Sequence, residues 1–335
     1  MDTLNICSLA PYFTDEAAAW ELLESLRWPD GRPECPHCGS VGESTLLRPQ
    51  NGHRTTSTGR ISYRRTWKCR ACRRKFSVLV GSIFEDSKVP VSKWLMAFYL
   101  LTASKNGVAA YELHRTLGVT NKTAWFMFHR IREAMKEGPL ADMLRGTIVA
   151  DEVLIGGDME RANKKTRARW AEKLNTPWSG FTGRNSHRTP VLSLVNATTG
   201  EVRSRVVPRV DGHNLRKVMA EHVDMGNSVL WTDEGKWYGP IGREFQAHQS
   251  VNHSQDQYLD KQTGATTNRV ESYFAQLTRS IDGTHHRVSR EHLQRYVTEH
   301  DFRYSTRHLS DSDRMRRLVA QTRGRRLTYR AIAAG

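Results

Sequence analysis

Thr147-Ile148-Val149-Ala150-Asp151-Glu152-Val153-Leu154-Ile155 is the stretch on which the fold turns. Its apolar and β-branched residues read as a buried strand with a carboxylate in the middle. An acid in such a strand is costly unless it is paired or holds a metal ion. The pattern returns in a second strand, Ser228–Asp233, which Asp233 closes. Working outward, Pro190–Asn196 and Glu201–Val207 read as strands joined by an Ala-Thr-Thr-Gly turn. Helices are expected from Gly212 to about His222, near Trp237–Phe245, over Thr267–Ile281 and over Arg290–Tyr304, with His248–Asn252 extended. This order predicts an α/β domain with a mixed sheet.

Glu271 supplies a third candidate acid, on the expected helix Thr267–Ile281 and one turn past Asn268. Residues three apart share a helix face, so both can look into one site. Three such groups brought together would hold two divalent ions, and oxygen donors suit Mg²⁺ or Mn²⁺. Two ions about 3.5–4 Å apart clamp the attacking and leaving oxygens of a displacement at phosphorus. Glu152 and Glu234 fall on the opposite strand faces from their aspartates and read as surface acids.

The N-terminal half carries different chemistry. Cys35-Pro-His-Cys38 and Cys69-Arg-Ala-Cys72 are two C-x-x-C knuckles separated by 30 residues. Two knuckles make a closed four-thiolate site, so Cys35, Cys38, Cys69 and Cys72 are the expected ligands of a structural Zn²⁺, with His37 as a substitute donor. From Arg48 to Lys75 there are ten Lys/Arg and no acid, with Tyr63 and Trp67 interleaved. Arg54, Arg60, Arg64, Arg65 and Lys68 are therefore candidate phosphate contacts. Trp94, Leu95, Phe98 and Leu101 mark a helix opened by Pro90. Leu117-Gly118-Val119 then makes a turn before a helix capped by Thr120, which is helix-turn-helix spacing. Asn121, Lys122 and Thr123 would meet base edges, and Arg130 and Arg132 follow on that helix.

Composition agrees with a polyanionic partner. The 335 residues hold 51 Lys+Arg against 35 Asp+Glu, a net charge of +16, which favours nucleic acid. No uncharged apolar run approaches the ~18–20 residues that span a bilayer. The N-terminus lacks a basic segment followed by an apolar one, so a cytoplasmic, nucleoid-associated protein is expected. Five cysteines do not make a disulfide scaffold. Residues 158–188 read as a basic, mobile insertion in which Arg161, Lys164, Lys165, Arg167, Arg169, Arg184 and Arg188 would hold flanking or target DNA. Residues 309–335 read as a basic tail.

The ordered set resembles the zinc-ribbon DDE transposases of bacterial insertion sequences, the ISXO-like group. The similarity is carried by the two knuckles, Phe76-Ser77 running into Gly81-Ser82-Ile83-Phe84, and the helical run Trp94–Met135. It continues through Val149-Ala150-Asp151-Glu152 with Ile155-Gly156-Gly157, Thr232-Asp233 and Thr267-Asn268-Arg269-Val270-Glu271-Ser272. Ser280-Ile281-x-Gly283-x-His285-His286, Leu293-Gln294-Arg295-Tyr296 and Phe302-Arg303-Tyr304 complete it. The resemblance implies an RNase H-like catalytic domain, Mg²⁺-dependent cutting at inverted terminal repeats, and joining of 3′-hydroxyls to target DNA. Asp151 and Asp233 match the first two catalytic acids. The third place is filled by Glu or Asn in the group; Glu271 is favoured here, with Asn268 as alternative or co-ligand. Where members often carry Lys, seven residues past the Glu, this chain has Thr278, and Arg279 beside it is the candidate DNA-orienting cation. The expected organisation is a helical segment 1–31, a zinc ribbon 32–84, a helix-turn-helix-like DNA-binding domain 85–140, the catalytic domain 145–308 and the tail. At least a dimer is expected on DNA, to hold two ends. The rival readings are a zinc-ribbon regulator with a non-catalytic C-terminal domain and a metal-dependent nuclease without strand transfer.

Overall fold

The computed structural model describes residues 5–49, 54–59, 61–138, 141–156, 164–174, 188–251 and 264–333. The chain forms two units, Met1–Lys136 with Arg307–Gly335, and Glu137–Thr306.

The first unit begins with α1 (Ile6–Thr14) and α2 (Glu16–Arg27). Asp15 caps α2, accepting from the Ala17 and Ala18 amides at 2.8 and 3.2 Å. The ribbon follows: β1 (Ser44–Leu46), the short hairpin β2 (Arg54–Thr55) and β3 (Ile61–Ser62), then β4 (Trp67–Cys69) and β5 (Lys75–Phe76). β4 lies between β1 and β5, antiparallel to both. Trp28, Trp67 and Phe76 pack edge-on beneath the cysteines.

Next come α3 (Val91–Ala103), α4 (Ala110–Leu117) and α5 (Asn121–Met135). Trp94, Leu95, Phe98 and Leu101 are buried as the apolar stripe requires. Pro90 offers α3 no side-chain cap, and Glu16 of α2 replaces it, accepting from the Val91 and Ser92 amides at 2.7 and 3.0 Å. Gly118 takes φ +57° at the end of α4, where a Cβ would be strained, and Thr120 caps α5 through the Thr123 amide.

One expectation for this unit is corrected. The segment after Ser310 is no free tail: α11 (Asp311–Ala320) and α12 (Tyr329–Ala333) fold into the unit, burying Met315, Leu318, Val319, Leu327 and Ile332. Gly324 donates to the Gly81 carbonyl at 2.8 Å, and Arg314 to the Thr102 carbonyl at 2.5 Å. Arg130 and Arg132, further along α5, are buried. Arg130 donates to the Leu327 carbonyl at 3.2 Å and to the Glu85 carbonyl, and Arg132 lies over the Phe128 ring.

The second unit is a five-stranded sheet with helices on both faces. Its elements are β6 (Leu144–Ile155), α6 (Lys164–Leu174), β7 (Thr189–Asn196), β8 (Val202–Val206), α7 (Gly212–His222), β9 (Val223–Asp233), α8 (Tyr238–Gly242), β10 (Ala247–Val251), α9 (Asn268–Arg279) and α10 (Arg290–Ser305), with a π-helical turn Ser280–His285 after α9. The strand order is β10-β9-β6-β7-β8. β7 is antiparallel to β6 and β8, while β9 is parallel to β6 and β10. An antiparallel meander extended by two parallel strands beside its first strand is the RNase H topology. The hairpin turn reads as expected: Asn196 accepts from the Thr198 and Thr199 amides at 2.9 and 2.8 Å, and Gly200 takes φ +72°.

Alternation divides the sheet into two cores. Ile148, Ala150, Leu192, Leu194 and Leu230 face α7 and α8, while Val149, Val191, Val195 and Trp231 face α9 and α10. The basic insertion holds α6, and residues 157–163 and 175–187, including Arg161 and Arg184, lie outside the described residues. Among the described residues no helix is long and apolar enough to cross a membrane.

If the C-terminal segment is part of the first core, Leu318→Ala, at a fully buried position, is expected to destabilise the first unit by about 2–5 kcal/mol. Denaturant unfolding followed by tryptophan fluorescence checks this, and an unchanged midpoint contradicts it.

Candidate active site

The register of β6 against β9 decides where the acids lie. Thr147 pairs with Val229, Ile148 with Leu230 and Val149 with Trp231. Two residues further along stand Asp151, within β6, and Asp233, the last residue of β9. Val149 and Trp231 belong to the core under α9, so by period-two alternation both aspartates emerge on the α9 face. α9 packs there through Val270, Tyr273, Phe274 and Leu277. Glu271, in its first turn, flanks that buried stripe. It accepts from the Thr267 hydroxyl at 2.7 Å while its amide donates to the Thr267 carbonyl at 3.1 Å. Asn268 is exposed on the first residue of the same helix.

Electrostatics reports the convergence. Burial pushes the Asp151 carboxyl up to about 7, and the negative charges of Asp233 and Glu271 add to the rise, against the Glu152 amide that donates to Asp151 Oδ1 at 2.7 Å. Three acids distant in sequence thus share one field. Asp233 Oδ1 accepts from the Gly235 amide at 3.0 Å, which turns its side chain at the strand end. The chemistry of this oxygen-donor set fits divalent cations, which Asp151, Asp233 and Glu271 would hold.

Glu152 is not the surface acid that alternation alone suggests. Its face is covered too: the buried Tyr238 of α8 donates a hydrogen bond to Glu152 Oε1. Burial raises this carboxyl to about 7 despite that bond. Glu234 is exposed. His285 packs edge-on against Tyr296, and His286 lies within hydrogen-bond distance of the Asp282 carbonyl at 3.0 Å.

Two supports escaped the sequence reading. Thr267 is one, although a threonine four residues before a glutamate at a helix start is a readable signal. The other is Asp301 of α10, which accepts from the Ser204 amide and hydroxyl at 2.8 Å each and from the Tyr273 hydroxyl at 2.5 Å. It ties β8, α9 and α10 together two residues beyond Glu271.

In the first unit the four thiols gather as the spacing predicts, with all four sulfurs within 4.8 Å of one another. Cys35 and Cys72 sulfurs are 3.6 Å apart, Cys38 and Cys69 3.7 Å. Four thiolates at ~2.3 Å from a tetrahedral ion would be separated by about 3.8 Å, so the cluster is consistent with a structural zinc. Gly39 at φ +76° and Arg73 at φ +61° occupy equivalent places just past each knuckle. The Ser40 hydroxyl, 3.2 Å from Cys69 and 3.3 Å from Cys38, lowers both thiols, Cys69 to about 6. His37 lies 3.4 Å from the Lys75 carbonyl.

The candidate DNA contacts divide. Arg64, Lys68, Asn121, Lys122 and Arg279 are exposed, and Thr123 is half-buried. Lys122 lies 4.5 Å from the centre of the Tyr329 ring. Arg54 donates to the Thr66 hydroxyl and the Leu47 carbonyl at 3.3 and 3.4 Å. Arg65 is matched by Glu21 and Glu24, each at 2.7 Å. Arg60 lies outside the described residues.

Comparison with known proteins adds independent findings. Residues 14–75 match the transposase zinc-ribbon domain and residues 143–305 the ISXO2-like transposase domain. An uncharacterized protein in transposable element ISH50 of Halobacterium salinarum is 25% identical over 288 residues, covering 85% of this chain and 89% of its own length. A chain in the structure of the simian T-cell lymphotropic virus intasome in complex with PP2A regulatory subunit B56 gamma is similar over 57% of this chain and 63% of its own, at 14% identity and a TM-score of 0.25.

A pH dependence follows from Asp301. Burial pushes its carboxyl up to about 7, against the pull of Tyr273 and Ser204. A carboxyl raised on folding contributes stability that is present below the ordinary carboxylate range and lost as pH rises through about 7. The thermal midpoint of the chain without added metal is expected to fall between about pH 5 and about pH 8, less steeply in Asp301→Asn. Equal slopes contradict the assignment.

Proposed function

The chain belongs to the ISXO2-like DDE transposases that carry an N-terminal zinc ribbon, and from that membership we propose a DNA transposase that cuts the inverted terminal repeats of its element and joins the freed ends to target DNA. What supports this reading most is that β6 and β9 pair in register up to Val149 and Trp231, two residues before Asp151 and Asp233, and that the charges of Asp233 and Glu271 act on Asp151.

Asp151 and Asp233 would hold the divalent ions, Mg²⁺ or Mn²⁺, and Glu271 would complete the set. Glu271 is chosen over Asn268 because its carboxylate acts on Asp151 and Thr267 fixes its rotamer. Bound there, two such ions supply charge neutralisation at the reacting phosphate. The carboxylates position the scissile phosphodiester, and the burial of Asp151 strengthens every interaction at that end of the sheet. In the first displacement a water oxygen bonds to phosphorus, the P–O3′ bond breaks, and a 3′-hydroxyl leaves with the water's proton. In the second, that 3′-oxygen bonds to a target phosphorus, the target's P–O3′ bond breaks, and the proton passes to the new 3′-hydroxyl. Each step exchanges one P–O bond for another, so no external energy source enters.

The four cysteines would hold a structural Zn²⁺. The ribbon's Arg54 and Arg64 with Lys68, and Asn121, Lys122 and Thr123 at the start of α5, bind the terminal repeats, while Arg279 and the exposed cations of α6 contact DNA near the acids. Two ends must be held at once, so the DNA-bound form is at least a dimer.

Asp151→Asn and Asp233→Asn are each expected to lower Mg²⁺-dependent cutting and joining on the order of 10³-fold or more, the scale for removing one member of a set that acts as a unit, with end binding retained. Glu271→Gln should follow them and Asn268→Ala should not. Gel analysis of end DNA incubated with a target plasmid checks this. Cuts without joined products indicate a nuclease, and a DNA effect unmoved by Asp151→Asn indicates a regulator.

A further inference from the structure

Beside the zinc ribbon, between α2 and the β2–β3 hairpin, lies a cavity of about 520 Å³. Its lining is of two kinds. Leu46, Leu47 and Pro49 give it apolar surface. Arg48, Arg54 and Arg64 bring guanidinium groups to it, and among the described residues none of the three forms an ion pair. One lining acid, Glu21, is already bound to Arg65. Tyr63, a residue 44% exposed, adds an aromatic side chain left in water next to three guanidinium groups that pair with no acid among the described residues.

This combination asks for more than a DNA backbone. Duplex phosphates are gripped well by a flat basic surface, and a duplex cannot enter a cavity within the ~300–1,000 Å³ range of small-molecule sites. A lone phosphate would use the arginines and leave the apolar wall and the tyrosine wet. An unstacked nucleotide uses both: its phosphate meets the guanidiniums bidentately, and its base lies on an aromatic ring, as in single-strand binding sites. Stacking reads no sequence, so such a site recognises the state of the strand.

We propose that this cavity takes one unstacked nucleotide of DNA, with the base on Tyr63 and the phosphate on Arg48, Arg54 and Arg64, so that the zinc ribbon prefers a frayed or single-stranded end over uninterrupted duplex. The choice of DNA as the source rests on the transposase reading; the cavity's chemistry itself requires only a nucleotide. Arg65 lies outside the ligand set, because Glu21 and Glu24 hold it as a strut between the ribbon and α2.

The test is fluorescence anisotropy with the full, zinc-loaded chain and no added magnesium, on a blunt duplex and on the same duplex carrying a short oligothymidylate overhang. The overhang is expected to bind roughly tenfold more tightly, the scale of one stacked base. Tyr63→Ala should bring it down to the blunt value, and Tyr63→Phe should keep the preference. Arg64→Ala should weaken the overhang complex and reduce its salt slope by about one. An unchanged zinc content and thermal midpoint establish that each variant is folded. Equal affinity for the two DNAs in the unaltered chain, or an overhang preference that survives Tyr63→Ala, overturns the proposal. A parallel cutting-and-joining assay with magnesium separates the two readings: joining without the overhang preference sinks the cavity alone, and the preference without any DNA processing sinks the transposase reading alone.

Discussion

Two parallel strands in register are the constraint from which the rest of the catalytic unit follows. β6 and β9 pair so that Val149 stands beside Trp231, and Asp151 and Asp233 each follow two residues on, near enough for the charge of one to act on the other. Because side chains alternate strictly, a slip of one residue would send one aspartate to the far face of the sheet. The large apolar residues prevent that slip. Val149 and Trp231 must lie under α9, and Ile148, Ala150 and Leu230 under α7 and α8, so any shift would expose one core and bury polar groups in the other.

The acids are held at a cost. Asp151 and Glu152 are adjacent in sequence on opposite faces, and burial raises both toward neutrality. Such a concentration of carboxylates works against stability in the absence of cations. Hydrogen bonds offset part of it: Gly235 to Asp233, Thr267 to Glu271 and Tyr238 to Glu152. The Asp301–Ser204–Tyr273 cluster then fixes α9, so that Glu271 is carried by a helix pinned at the next turn. A cation at the strand ends therefore relieves a repulsion that the fold has already built.

Much of this was readable from the chain. The strand around Asp151, the second around Asp233, the Asn196–Gly200 turn and the cysteine knuckles are local patterns whose meaning does not depend on distant residues. What was not readable depends on partners far along the chain. The burial of Arg130 and Arg132 was not readable because a helix stripe reveals charge and not what covers it; the segment around Leu327 covers Arg130. The C-terminal 27 residues read as a tail because arginines interrupt their apolar residues throughout, yet Met315, Leu318 and Val319 dock α11. Glu152 read as exposed because alternation tells which face a residue takes and not whether that face is covered. The zinc-ribbon arginines read as equivalent, and only the structure separates Arg65, matched by two acids, from Arg48, Arg54 and Arg64.

The central claim is that Asp151, Asp233 and Glu271 form one cation site at the end of the sheet. Electron paramagnetic resonance of Mn²⁺ added to the zinc-loaded chain tests it most directly. The account predicts two spin-coupled Mn²⁺ ions per chain, with the coupling lost in an Asp233→Asn variant of unchanged fold. Uncoupled binding, or coupling that persists without the Asp233 carboxylate, would contradict it.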